Sequence, residues 1–562
     1  MMFDRKNKKY LEWIENENLN SELREKLLSA TDEELSAAFT IDLEFGTAGI
    51  RGVLGAGPGR FNIYTIIQVT RAYVQLLKKK HPKDLSSRGV VVGHDNRYQS
   101  IEFSKAVAEI LTSLGVKSYL FKNNNMKPTP VVSYAVKDLH TIGGIVVTAS
   151  HNPANYNGYK IYDEFGCQLI DSDTVVISNE MENDSQNPID WKYEADKSLL
   201  MEVPSSTIQN YKSMIKKLQF HEKANKDNFE IIYSAVNGTG TEFVPPILEE
   251  AGYKVIEVEE HSFEDPSFKN VINPNPEFPP AWEIPLKKYG QNNPNANIIV
   301  MTDPDADRIG LAVNHKGEWI RLDGNQTGPL LIDWKLSQLK AINKIPKNPA
   351  LYSSFVTSDL GDRIAHETYG VKIVKTLTGF KWMGSEILKE KERDLNFVFA
   401  YEESYGYVLD SSTLDKDGIQ AAIMLSEMAW FYKTKHNKTL IDVLHDLYAK
   451  YGFYTTFTEN LNFKPEEIKS KIDPILSKFR TNPPKEFAGL KMVKSEDYKD
   501  GLYNMPGQNL LKFYYEDGSW FAVRPSGTEP KVKIYFISVA KNQSESVSKL
   551  DLMIKELKEF IK

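Results

Sequence analysis

Short apolar runs that stop abruptly at small or polar residues recur along this chain of 562 residues. Runs at 89–93, 118–121, 145–147, 231–233, 254–258, 297–301 and 397–400 have the length and β-branched content of buried strands. Longer segments at 63–80, 101–114, from 242, 324–340 and 418–433 carry apolar residues at helical spacing. Strand and helix alternating in this way predict an α/β architecture with parallel pairing. From about 453 the pattern changes: strands at 455–458, 520–523 and 532–536 sit with helices at 464–478 and 543–561, an α+β grammar. Residues 10–38, opened by Tyr10, Leu11, Trp13 and Ile14, read as an amphipathic helical arm on the first domain. Segment 171–204 reads as polar and loop-rich with Trp191 as a packing anchor, and 273–280 as an irregular proline-rich stretch. The pattern amounts to three α/β blocks of similar grammar and a distinct C-terminal block. A chain of this length predicts about three or four domains.

Composition changes this picture little, but it excludes several classes. Hydrophobic residues make up 41% and charged residues 26%, ordinary for a globular protein. The sequence holds no apolar run of about 18 residues, so no membrane-spanning helix is expected. Residues 1–10 lack the apolar core of a secretory signal. A single cysteine, Cys167, excludes an internal disulfide framework and a multi-cysteine zinc site. These features favour the cytoplasm. A net charge of -7 and the lack of a long basic tract argue against nucleic-acid or anionic-membrane partners. A small anionic ligand needs only a local cluster of Arg, Lys and backbone N–H groups.

Candidate chemistry gathers where the strands end. Ser150 follows the run 145–147, with small neighbours Ala149, Asn152 and Gly158 and with Lys160 nearby. It reads either as a nucleophile or as a cap for the next turn. The stretch 45–52 and Gly55, Gly57 and Gly59 permit close backbone approach, and Arg51 suits phosphate; a tight connection is the alternative. Another polar strand-end loop is His94–Arg97. Asp303, Asp305 and Asp307 alternate behind a buried strand and repel unless a cation compensates. All-oxygen ligands suit Mg²⁺ or Ca²⁺, although an acidic surface turn would look the same. Residues 524–528 offer a guanidinium, two hydroxyls and a glycine, a phosphate cradle or a capped hairpin turn. Glu402, Glu403 and Ser404 could grip vicinal sugar hydroxyls or form a solvated loop. One cleft for a phosphorylated polyol accounts for four of these loops together: the Ser150 hydroxyl, the aspartate cluster, residues 402–404 and the 524–528 cradle.

Thr148–Pro153 (TASHNP), Asp303–Arg308 (DPDADR), Tyr401–Ser404 (YEES) and Arg524–Pro530 (RPSGTEP) resemble the four signature loops of the α-D-phosphohexomutase superfamily. They stand in that family's order, and the resemblance spans about 45–530. The length, the arm and the loop Gly379–Trp382 resemble the group holding phosphoglucomutases and phosphopentomutases. The resemblance implies three related mixed α/β domains around a central cleft plus a C-terminal α+β domain, forming a heart-shaped molecule. The implied boundaries are 1–205, 206–322, 323–452 and 453–562. It implies that Ser150 is a phosphoserine, that Asp303, Asp305, Asp307 and a phosphoserine oxygen hold one Mg²⁺, and that glucose 1,6-bisphosphate is the intermediate and activator. Arg51 and Lys160 would serve proton transfer, with Lys416 a second candidate. Thr47, His151, Arg308, Gly379, Lys381, Glu402 and Ser404 would bind the sugar, and Arg524, Ser526, Gly527 and Thr528 its distant phosphate. The expected partners are small sugar phosphates, with no nucleic acid or membrane, and the expected state is a monomer or weak homodimer. Two departures stand out: Tyr401 replaces a common glycine, and the histidine that some relatives carry after the sugar loop is missing. Mannose and pentose phosphates compete with glucose phosphates as substrates, with specificity expected in 378–384 and 401–407. A phosphatase using Asp303 as nucleophile and a sugar-phosphate sensor are the alternatives in other classes.

Overall fold

The computed structural model describes residues 3–46, 49–463, 468–525 and 531–561. By packing, the chain divides into two units. One comprises Met1–Leu322, Gly384–Lys389 and Ser404–Trp430; the other comprises Asp323–Met383, Glu390–Glu403 and Phe431–Lys562. The backbone passes from one unit to the other five times. Among the described residues, no helix is long and apolar enough to cross a membrane.

The arm is helical and consists of three short helices, Lys8–Ile14, Ser21–Ser29 and Asp32–Phe39. Capping residues break it. The Asn20 side chain accepts the Leu23 N–H, and Thr31 forms a reciprocal box with Glu34. Its aromatic residues still point inward: Tyr10 meets Phe39 edge-on at 5.5 Å, and Trp13 meets Tyr64 at 5.4 Å.

Two sheets organise the first unit. The first runs, in spatial order, Ile50–Val53, Tyr156–Tyr162, Gly143–Val147, Val90–His94, Ser118–Leu120 and Leu200–Glu202. Its central strands Val90–His94 and Gly143–Val147 are parallel and buried at every position, as expected of strands covered by helices. Tyr156–Tyr162 returns antiparallel to Gly143–Val147, so the Ser150 loop is the connection between them. Segment 171–204 holds more structure than its polarity suggests, namely the helix Asp171–Glu182 and the edge strand Leu200–Glu202. That helix buries only Thr174, Ile177 and Met181, too thin an apolar stripe to announce itself.

The second sheet runs Glu318–Leu322, Ile309–His315, Ile298–Thr302, Glu230–Ser234 and Lys254–Glu257. Here too a fully buried strand, Ile298–Thr302, is followed by an antiparallel return, Ile309–His315. The triple-aspartate loop is the connection between these two strands. Both chemical loops of this unit are thus built alike.

In the second unit, Lys372–Thr376, Pro349–Ser354 and Asn396–Glu402 pair in parallel, with Gly324–Ala341 and Asp359–Tyr369 packed alongside. A six-stranded antiparallel sheet follows, running from Phe453–Asn462 through Lys531–Ala540, Trp520–Pro525, Leu511–Tyr515 and Leu490–Asp497 to Glu486–Phe487. Phe513, Phe521, Val523, Ile534 and Phe536 share a core with Phe479 of Asp473–Thr481 and Met553 of Gln543–Ile561. The helix expected over 464–478 differs: 464–467 lie outside the described residues, and Ile468–Ile472 forms a π-type turn before the helix Asp473–Thr481. Pro474 at the start of that helix supplies a preset φ there and no N–H.

Candidate active site

Ser150 stands just beyond the carboxyl end of a buried strand, itself buried, with a left-handed backbone (φ 53°) that is uncommon for serine. Its surroundings impose that conformation. The Thr148 hydroxyl accepts the Ser150 N–H at 2.8 Å and donates to Asp95 Oδ2 at 2.5 Å. Arg97, fully buried, donates to the carbonyls of Ser150 (2.6 Å), Pro153 (2.8 Å) and Tyr156 (3.1 Å). Asp95 pairs with Arg97 at 3.2 Å and accepts from the Ser100 hydroxyl at 2.9 Å. Strain of this kind persists only where neighbours over-determine it. The strand-end loop His94–Arg97 therefore shapes the serine loop.

From this loop Ser150 Oγ reaches Asp303 Oδ2 at 3.1 Å and lies 3.2 Å from His151 Nδ1. Asp303, Asp305 and Asp307 are all buried, and their ligand atoms lie within 4.8 Å of one another. Among the described residues no other group of three or more His, Cys, Asp or Glu converges in this way. Their loop is gripped from three sides. Thr129 donates its N–H to the Asp305 carbonyl (2.9 Å) and its hydroxyl to Asp305 Oδ2 (2.8 Å). Thr239 donates twice to the Pro304 carbonyl, and the Gly418 N–H donates to that of Ala306 at 3.1 Å. Gly238 lies so close to Pro304 that a Cβ would come within 2.4 Å of it, which gives the 237–240 glycine loop its purpose.

Cations balance the carboxylates. Lys160, 2% exposed, pairs with Asp305 Oδ2 at 2.7 Å and Asp307 Oδ2 at 2.9 Å. Lys416 pairs with Asp307 Oδ2 at 3.2 Å and with Asp415 Oδ1 at 3.0 Å. Tyr162 and Gln168 both donate to Asp415 Oδ2, fixing the group that holds Lys416. Burial disfavours the charge on Lys160, yet Asp305 and Asp307 outweigh it and raise its pKa. Asp303 is driven well above the carboxylate range by burial and then by Asp305 and Asp307. Asp307 moves the other way: burial opposes its charge, but Lys160, Lys416 and Arg308 hold it low. Even so, Asp305 Oδ1 and Asp307 Oδ1 are buried without a hydrogen-bond partner among the described residues, Arg308 Nε standing 3.8 Å from the latter. Buried lone pairs left over in a clustered carboxylate set are what a hard divalent cation would use, so the residues fit Mg²⁺.

The remaining expected residues divide between the units. In the first, Arg51 Nη1 donates to Asn152 Oδ1 at 3.2 Å, opposite Gly158 in the strand register. Arg308 donates its N–H to Asp303 Oδ1 and pairs with Glu277 at 2.7 Å. Ser404, half-buried, packs with this unit. In the second, Glu402 Oε1 accepts the Gly379 N–H at 2.7 Å, so the loops at 378–382 and 401–403 are joined. Lys381 is buried, its ammonium 5.3 Å from the Trp382 ring. Arg524 stands at the end of Trp520–Pro525 and donates to the Tyr535 hydroxyl at 3.3 Å. Thr47, Ser526, Gly527 and Thr528 lie outside the described residues. Sequence reasoning missed Asp95 and Arg97 as clamps of the serine loop, and Thr129 and Thr239 as clamps of the aspartate loop. Asp95 and Arg97 carried one signal, a polar loop behind a buried strand; Thr129 carried none.

Four family models match in succession: phosphoglucomutase/phosphomannomutase alpha/beta/alpha domain I over 42–188, domain II over 209–317, domain III over 323–451, and the C-terminal domain over 475–549. A phosphoglucomutase of Staphylococcus haemolyticus is 33% identical over 527 residues, covering 91% of this chain and 92% of that protein. A phosphomannomutase of Mycoplasmoides pirum is 34% identical over 542 residues, covering 94% and 95%. In fold, the chain is similar to the open form of pp63/parafusin, a phosphoglucomutase of Paramecium, with a TM-score of 0.70 and 18% identity over 93% of this chain and 95% of that one. With four domain matches in order and relatives aligned along nearly its whole length, this chain belongs to the phosphoglucomutase/phosphomannomutase family.

Proposed function

We propose that this protein is a phosphoglucomutase that interconverts α-D-glucose 1-phosphate and glucose 6-phosphate through a phosphoserine at Ser150. The observation that carries the reading is the approach of Ser150 Oγ to Asp303 within a buried three-carboxylate cluster in which two oxygens accept no hydrogen bond from the described residues. Phosphorylated Ser150 transfers its phosphoryl group to the free hydroxyl of the bound sugar phosphate: the P–Oγ bond breaks, a P–O bond to the sugar forms, and the hydroxyl proton leaves to a base. The product is glucose 1,6-bisphosphate. Turned end for end, it returns its other phosphoryl group to Ser150 Oγ, so the enzyme is restored.

Asp303, Asp305 and Asp307 would hold one Mg²⁺, which neutralises phosphoryl charge when bound. Lys160, Lys416 and Arg51 are the candidates for moving the hydroxyl proton or steadying the oxygen that gains charge. Lys160 sits on Asp305 and Asp307, which favours its charged form, and Lys416 pairs with Asp307 beside it. Glu402 and Ser404 would grip sugar hydroxyls, aided by Gly379 and Lys381, while Arg524 with Ser526, Gly527 and Thr528 would bind the phosphate that is not reacting. We assign the domains to 1–205, 206–322, 323–452 and 453–562, and the setting to the cytoplasm, which a single cysteine suits. A phosphomannomutase reading is favoured by the relative of that name at 34% identity.

Purified protein with Mg²⁺ and a trace of glucose 1,6-bisphosphate should form glucose 6-phosphate from α-D-glucose 1-phosphate in a coupled dehydrogenase assay. Absence of product would overturn the proposal, and kcat/KM higher for mannose 1-phosphate than for glucose 1-phosphate would replace it with the second reading.

A further inference from the structure

The antiparallel sheet of the second unit has two unlike faces. Phe513, Phe521 and Phe536 turn into the helix-covered core, whereas Lys512, Tyr514, Trp520 and Arg524 alternate with them and stand on the other face. On that face Lys512, directly opposite Glu496 in the strand register, is only 1% exposed. Its ammonium lies 3.6 Å from the centre of the Trp520 ring and donates to the Phe355 carbonyl at 2.8 Å. Trp520 Nε1 donates to Asp359 Oδ2 at 2.7 Å. Phe355 and Asp359 bracket one turn, between the strand Pro349–Ser354 and the helix Asp359–Tyr369. The same turn grips the sugar loop. Ser354 Oγ and Thr357 Oγ1 donate to Glu403 Oε2 at 3.3 and 3.0 Å, and the Ser358 carbonyl accepts the Tyr401 hydroxyl at 3.2 Å.

A buried ammonium is costly, and here burial lowers its pKa to about 8 against the pull of Asp359. Well-packed apolar residues often serve stability as well as a buried charge does. What an apolar residue cannot supply is a directed bond to the Phe355 carbonyl. We propose that Lys512 and Trp520 are positioning residues that hold the 355–358 turn, and through it Tyr401–Glu403, in fixed register with the strand that ends in Arg524. Arg524 stands four positions beyond Trp520, about 13 Å along an extended strand. The register sets the span between the gripped hydroxyls and the held phosphate, and so selects hexose over pentose phosphates. The selectivity rests on the mutase reading; the mechanical link between the two loops does not.

The test uses the full-length protein carrying Lys512→Met, assayed with α-D-glucose 1-phosphate and α-D-ribose 1-phosphate. KM for the glucose ester should rise about tenfold with kcat within about threefold, the size expected when a buried carbonyl loses its donor. The glucose-to-ribose ratio of kcat/KM should fall at least about fivefold. Trp520→Phe keeps a ring under the ammonium and loses the bond to Asp359, so it should shift both quantities the same way by less. If Lys512→Met does not fold, this second variant decides alone. Unchanged KM and ratio beside a lowered Tm would make the junction merely structural and overturn the proposal. Should the wild-type protein lack mutase activity, the functional reading falls, and amide exchange decides the link. Faster exchange over 354–358 and 400–403 in Lys512→Met supports it; unchanged exchange there overturns it.

Discussion

Ser150, the phosphoserine we propose, stands on a backbone that its neighbours bend. Replacing it with alanine removes the hydroxyl while leaving the clamps from Thr148 and Arg97, which act on main-chain atoms. Ser150→Ala should lower mutase activity by at least about a thousandfold, the scale of losing a nucleophile, with Tm moved by no more than about 3 °C. A coupled assay beside a thermal melt checks both halves. At this scale the sequence was informative where chemistry lies in adjacent side chains, as in Asp303, Asp305 and Asp307. It was silent where a role depends on a distant partner. Arg97 matters because it collects the carbonyls of Ser150, Asn152, Pro153 and Tyr156, and Thr129 because it meets Asp305; neither contact leaves a trace in local spacing.

Among the elements, the strand Tyr156–Tyr162 controls the most, since it lies between Ile50–Val53 and Gly143–Val147 and carries Lys160. Its Gly158 has no room for a side chain. A Cβ there would come within 2.6 Å of the Ile50 and Thr148 carbonyl oxygens, both main-chain atoms that cannot step aside. Gly158→Ala should destabilise the protein by roughly 2–3 kcal/mol, seen as a lower denaturant midpoint, and should impair turnover because Arg51 and Thr148, whose hydroxyl holds the Ser150 N–H, flank that site. An unchanged midpoint would show that the three strands can spread. The helices Ile63–Lys80 and Gln543–Ile561 were legible to the residue, because an apolar stripe runs their whole length. The helical character of the arm was legible, and the caps Asn20 and Thr31 set where its helices begin. Asp171–Glu182 was overlooked because three buried residues do not make a visible period.

Over the whole molecule, acidity and chain path have consequences of their own. Burial pushes the Asp163 and Asp417 carboxyls up to about 6, even though backbone N–H groups donate to both. In the unfolded chain each would ionise near the ordinary aspartate value. Between about pH 4 and pH 6 the folded protein therefore holds protons that the unfolded chain has released, and stability falls as pH rises through that window, by up to about 3 kcal/mol per group. Asp163→Asn can keep the acceptor used by the Phe165 and Cys167 N–H groups while removing the titration. Its Tm advantage over wild type should be larger at about pH 7.5 than at about pH 4, and an advantage independent of pH would refute the assignment.

The five passages of the backbone between the units bear on how the protein is made. Residues leave the ribosome in order, and domains generally fold as they emerge. Here the aspartate loop is synthesised well before Asp415 and Lys416, and strands and helices of the other unit appear in between. The first unit cannot complete its charge-balanced interior until Ser404–Trp430 has been delivered. A ribosome stalled before that segment would display Asp303, Asp305 and Asp307 with Lys160 alone from the lysine pair. Completion of the carboxylate cluster's charge balance is thus deferred to the last third of translation, and a truncated chain ending before Lys416 is a nascent species without the second lysine on Asp307.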